Sequence, residues 1–137
     1  MFWATQYFIS IINELEKKPK NGMSSCKKDL FDLFSQLDQN QFIEIGADLK
    51  ASKNGILKKI RFPNSQKSIG KRGGNRLIAL LLTQTNEFIF LYVYPKTGRF
   101  GKDNVNDKEL AFFLQNYLSD RENGKLIFLG NQNDLKL

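Results

Sequence analysis

The sequence contains no histidine, one cysteine and three prolines. Without imidazole there is no Ser-His or Cys-His nucleophile pair, no histidine general base and no His-ligated metal. Any catalysis must use other groups. The lone Cys26 cannot close an internal disulfide or a zinc knuckle, and its setting between Ser25 and Lys27 predicts an ordinary thiol on a helix in a reducing compartment. No run approaches the about 20 apolar residues needed to span a bilayer, and Met1 to Ile12 has neither the basic start nor the small-residue cleavage site of a signal peptide. The sequence therefore predicts a cytoplasmic chain with no membrane contact, no metal and no cofactor.

What is present is enough for one core. The 137 residues are 41% hydrophobic and 12% aromatic, and no repeat, low-complexity tract or long linker divides them, so residues 1–137 read as a single domain. Twenty-one Lys and Arg against 14 Asp and Glu give a net charge of +7. The distribution is uneven. Between Leu49 and Lys102 stand twelve basic residues and one acid, Glu87, a net of +11, whereas the rest of the chain carries nine basic and thirteen acidic residues. A charge pole of this kind suits a polyanionic partner such as nucleic acid.

Hydrophobic spacing orders the elements. After a short strand at Phe2 to Ala4, Tyr7, Phe8, Ile11, Ile12 and Leu15 recur at helical spacing, with Thr5 as N-cap and Pro19 as a stop, although the aromatic and β-branched run Tyr7 to Ile12 also suits a strand. Leu30, Phe31, Leu33, Phe34 and Leu37 mark a second helix, capped by Ser24 or Ser25. Ile56 to Phe62 reads as a strand in which Ile60 and Phe62 face inward and Lys59 and Arg61 project to the other side. Arg76 to Thr83 is apolar on both faces and so central, and a short Gln84 to Glu87 turn joins it to Phe88 to Tyr94 as an antiparallel hairpin. In that last strand the period of two places Phe90, Tyr92 and Tyr94 on one face. A further helix begins at Asn106 or Asp107 with Leu110, Phe113, Leu114, Tyr117 and Leu118 as its stripe, followed by a short strand in Lys125 to Leu129. The order of elements is that of an α+β fold.

Two features stand out for chemistry. Lys59, Arg61, Arg76, Lys96 and Arg99 lie on or just after three consecutive strands, where a meander gathers them on one surface. The segment Gly70-Lys71-Arg72-Gly73-Gly74-Asn75-Arg76 is either a flexible turn, with glycines supplying positive φ, or an anion-binding loop whose arginines make bidentate phosphate contacts. It lacks the Ser or Thr of a Walker A loop and the spacing of a dinucleotide fingerprint, so it predicts no nucleotide cofactor.

The ordered set Leu57-Lys58-Lys59-Ile60-Arg61-Phe62, Gly70-Lys71-Arg72-Gly73-Gly74-Asn75-Arg76-Leu77-Ile78, Phe90-Leu91-Tyr92-Val93-Tyr94-Pro95-Lys96 and Asp103-Asn104-Val105 resembles the RelE/ParE superfamily of bacterial toxins, closest to its HigB-like branch. The match covers about residues 56 to 118. The resemblance implies two N-terminal helices packed on a small antiparallel sheet, with a further helix and a short strand at the C-terminus. It implies a metal-independent endoribonuclease that cuts messenger RNA in the ribosomal A site, held inactive by a cognate antitoxin. The alternatives are a ParE-like gyrase-inhibiting toxin and a non-catalytic basic RNA-binding domain. Carried across, the resemblance points to Arg72, Arg76 and Lys96 as catalytic, with Arg76 and Arg72 clamping the scissile phosphate and Lys96, its pKa lowered by crowding, moving protons. Lys59, Arg61, Lys71, Tyr94, Arg99 and Lys102 are the expected RNA contacts. The chain departs from the pattern after the aromatic strand, where relatives read lysine, any residue, glutamate and this chain reads Lys96-Thr97-Gly98.

Overall fold

A sheet with an apolar layer on each face organises the chain. The computed structural model describes residues 1–98, 101–102 and 104–137. Six strands lie in the order β2-β3-β4-β5-β1-β6, with β1 Phe2–Ala4, β2 Ala47–Ala51, β3 Gly55–Phe62, β4 Asn75–Leu82, β5 Glu87–Pro95 and β6 Ile127–Gly130. The expected meander is present as β3, β4 and β5, each antiparallel to the next. The sheet is not wholly antiparallel, however: β1 runs parallel to β5, pairing Phe2 with Phe88 and Ala4 with Phe90. Parallel neighbours need a crossover, and the chain between β1 and β5, including both N-terminal helices, provides it.

Helix α1 (Gln6–Glu16) starts where expected, because the Thr5 hydroxyl accepts the Phe8 N–H at 3.1 Å. Helix α2 (Cys26–Ser35) follows the turn at Pro19–Asn21. Ser25 occupies its N-cap position without capping it: the hydroxyl donates instead to Asp29 at 2.8 Å, and Asp29 also accepts the Ser65 N–H at 3.0 Å. That buried carboxylate ties α2 to the loop after β3. Both helices bury an i, i+4 stripe on one face of the sheet, with Phe8 and Ile12 from α1 and Leu30 and Phe34 from α2 meeting Ile60, Phe62, Leu77, Phe88 and Phe90. Phenylalanines dominate this layer, and Phe34 lies 5.1 Å from Phe2 and 5.3 Å from Phe90. Each buried ring contributes about 1.5–3 kcal/mol by leaving water.

The opposite face carries a second core under α3 (Asp107–Glu122). Asn106 accepts the Glu109 N–H and Glu109 accepts the Asn106 N–H, a reciprocal cap that fixes where α3 begins. Leu110, Phe113 and Tyr117 pack on Leu57, Ile78, Leu80 and Ile89. Leu118, expected in the stripe, is exposed, because the i, i+3, i+7 row turns it away from the sheet.

Period-two parity fails within β5, with consequences for the site. A register shift between Ile78 and Ala79 opposite β5 pairs Ile78 with Tyr92 but Ala79 with Phe90. The extra residue flips the alternation. Phe90 therefore joins the α1/α2 core while Tyr92 and Tyr94 face α3, rather than all three sharing a face.

Candidate functional site

The register gathers a basic group on the α3 side of the sheet. Arg61, Arg76 and Tyr94 stand opposite one another across β3, β4 and β5, and Lys59, Ile78 and Tyr92 form the adjacent row. Lys96 follows directly after β5. Burial holds the Lys59 ammonium below the usual lysine pKa, and the charges of Arg76, Arg61 and Lys96 push it further in the same direction. Four cations thus act on one another at one end of the sheet.

They differ in freedom. Arg61 is exposed, whereas Arg76 is only 2% exposed. The Arg76 guanidinium donates through Nη1 to the carbonyls of Lys71 at 3.0 Å and Asn75 at 3.1 Å, and through Nη2 to that of Arg72 at 2.8 Å. One side chain therefore folds the glycine-rich loop back on its own strand. Burial also lowers the Arg76 pKa, with Arg61 adding to the effect. None of Gly70, Gly73 and Gly74 has positive φ, so the loop does not need glycine for a left-handed turn. Gly74 is required for closeness instead: a Cβ there would stand 2.5 Å from the Phe62 carbonyl oxygen. The loop is secured on its other side by the Lys96 N–H donating to Gly74 at 2.9 Å and the Thr97 hydroxyl donating to Gly73 at 3.2 Å.

Lys71 and Arg72 lend their backbone carbonyls to Arg76 and leave their side chains on the outside of the loop. Lys102 pairs with Glu109 at the start of α3, its ammonium 5.9 Å above the Tyr92 ring. That bond holds the Glu109 carboxyl below its usual pKa. Arg99 and Asp103 lie outside the described residues. Tyr94 is 2% exposed and stacks 5.7 Å from Tyr92, yet its buried hydroxyl has no hydrogen-bond partner among the described residues. Burial raises its pKa and Arg76 opposes the rise.

The roles of two charged side chains escaped the sequence reading. Glu109 supplies a carboxylate on the side of Tyr92 and Tyr94, from the helix start rather than from the position after β5. Lys58, also basic, is structural. Only 1% exposed, it donates from Nζ to the carbonyls of Ile43 at 2.6 Å and Ile45 at 3.1 Å and to Asp48 Oδ1 at 2.7 Å. The signal was available, because parity places Lys58 with Ile56 and Ile60 on the inward face.

Chemically, the arrangement offers fixed positive charge, a lysine shifted toward its neutral form and an unpaired phenol. Among the described residues no group of three His, Cys, Asp or Glu side chains is placed to hold a metal ion, and no helix is long and apolar enough to cross a membrane. The Cys26 thiol is buried, with its pKa raised by desolvation, and so is unreactive. Compared with known proteins, the chain matches no family model and no curated protein.

Proposed function

We propose that this chain is a toxin of the RelE/ParE type, closest to the HigB-like branch, and that it cleaves messenger RNA on the ribosome without a metal ion. The observation that carries the reading is the convergence of Lys59, Arg61, Arg76 and Lys96 beside the unpaired Tyr94 hydroxyl. RNA scission by its own 2′-hydroxyl needs a proton removed, a dianionic phosphorane-like state stabilised and the leaving 5′-oxygen protonated. Lys59 suits the first of these, since its lowered pKa raises the neutral fraction near neutral pH. Arg61 and Lys96 meet the phosphate, and Arg76 holds the loop that frames it while lending its charge. The Tyr94 hydroxyl, without a partner among the described residues, donates to a phosphate oxygen.

This division departs from the sequence expectation, which gave proton transfer to Lys96 and the phosphate clamp to Arg72 and Arg76. Here Lys59 takes the proton and Lys96 meets the phosphate with Arg61, while Arg76 contributes through the loop as well as through charge, because three backbone carbonyls already occupy three of its N–H donors. The expected partners are ribosome-bound messenger RNA and a cognate antitoxin that covers the basic face, in the cytoplasm. A second reading, a non-catalytic basic RNA-binding domain, is favoured by one observation: the Glu109 carboxylate is already engaged by Lys102. Incubating the purified chain with translating ribosomes separates the two. Cleavage of the message, lost in Lys59→Ala, supports the enzyme; binding without cleavage supports the second reading. Inhibition of DNA supercoiling with intact message points to the gyrase-inhibiting alternative.

A further inference from the structure

Strand β1 pairs with β5 only as far as Phe90, because α1 begins directly after Ala4 and Thr5. The far end of β5, from Tyr92 to Pro95, is therefore left without a strand neighbour on that side, and α1 runs past it. Between them lies a cavity of about 240 Å³ walled by Ile11, Leu15, Val93 and Pro95, with Glu14 and Asn21 as its polar groups. This is smaller than the about 300–1,000 Å³ typical of pockets for drug-sized ligands, and suits one flat ring system. Tyr94, whose hydroxyl lacks a partner among the described residues, is shared between this cavity and the basic cluster, and Lys96 follows Pro95 at its rim.

We infer that the cavity seats one base of the bound RNA, and that Glu14 and Asn21 select guanine. This rests on the nucleic-acid reading above and adds its specificity. A strand whose phosphates lie on Lys59, Arg61 and Lys96 places an adjacent base within reach of the cavity, and single-stranded RNA is read by splaying bases into such apolar slots. The wall chemistry then selects among bases. A carboxylate only accepts hydrogen bonds, so Glu14 requires donors on the base edge. Guanine alone offers two adjacent donors on its Watson–Crick edge, N1–H and the 2-amino group, matching two carboxylate oxygens, and its O6 accepts from the Asn21 amide. Adenine and cytosine present one amino group each, and uracil one N–H beside carbonyls that a carboxylate repels.

The test uses the full chain and short uridine oligonucleotides, 2′-O-methylated to prevent scission, with guanosine, adenosine, uridine or an abasic sugar at the centre. The guanosine probe is expected to bind about tenfold more tightly than the abasic one, a difference of about 1.4 kcal/mol. In Glu14→Gln that advantage falls to the adenosine level while abasic binding is unchanged. Leu15→Trp, which fills the cavity, removes the base dependence altogether, its folding checked by thermal melting. Equal binding of guanosine and abasic probes overturns the base site and leaves the phosphate cluster standing. A guanosine preference that survives both substitutions places recognition elsewhere and overturns it too. Failure of every probe to bind at low salt overturns the nucleic-acid reading and this inference together. Loss of a protein partner in Leu15→Trp, with base preference intact, assigns the cavity to a protein side chain instead.

Discussion

Arg76 and Tyr94 stand directly opposite each other across β4 and β5, both 2% exposed, and only one of them is satisfied. The guanidinium bonds three carbonyls of its own loop, while the phenol hydroxyl of Tyr94 has no partner among the described residues. A buried unpaired hydroxyl costs about 1–3 kcal/mol. Replacing Tyr94 by Phe is therefore expected to leave thermal stability equal or slightly raised while weakening RNA cleavage by about tenfold, an effect of about 1.4 kcal/mol on the barrier. Equal cleavage by the two proteins removes the phenol from the mechanism.

Arg76 has the opposite profile. Truncation to Ala strands the carbonyls of Lys71, Arg72 and Asn75 and releases the loop, so unfolding free energy is expected to fall by about 2–3 kcal/mol. Denaturant titration measures this directly. An Arg76→Ala protein as stable as the parent contradicts the anchoring role.

Arg61 provides the cleaner probe of charge, because it is exposed and shares the row without holding the loop. Arg61→Ala is expected to keep the melting temperature and to weaken RNA binding, lowering the slope of log affinity against log salt by about 0.7 for single-stranded RNA. An unchanged slope places the phosphates elsewhere.

The pH dependence follows from Lys59. To accept a proton it must be neutral, and burial and the neighbouring cations bring its pKa below the usual lysine value. Cleavage should rise with pH through that lowered pKa and then level. Lys59→Arg, always charged, should be slow at every pH and lose the rise. The same shift has a stability consequence of defined sign. Between the folded and unfolded pKa values the unfolded chain binds more protons, so stability rises with pH across that window. A rise in rate that persists in Lys59→Arg assigns the titration to another group.

Much of this architecture is written in spacing. Thr5 before a helical stripe, the Asn106–Glu109 reciprocal cap and the doubly apolar β4 are local signals, and local hydrogen bonds and burial made them come true. The parallel pairing of β1 with β5 was not legible, because a three-residue strand carries no partner information and its register depends on residues about 86 positions away, such as Phe88 for Phe2. Nor was the flip of Phe90 against Tyr92, since a bulge leaves no mark in an unbroken aromatic run. The basic row was legible from parity, whereas the use of Arg76 on its own loop depends on burial that composition does not reveal. Lys58 shows the reverse, an inward lysine that parity marked and charge counting concealed.

The most direct test is brief induction of the chain in bacteria with mapping of new messenger RNA 5′ ends, using the Lys59→Ala, Arg61→Ala variant as control. New ends inside translated frames, absent in a folded variant, are the predicted result. Growth arrest with no new ends, or identical ends in the folded variant, would contradict the assignment of ribosome-linked RNA cleavage to this basic row.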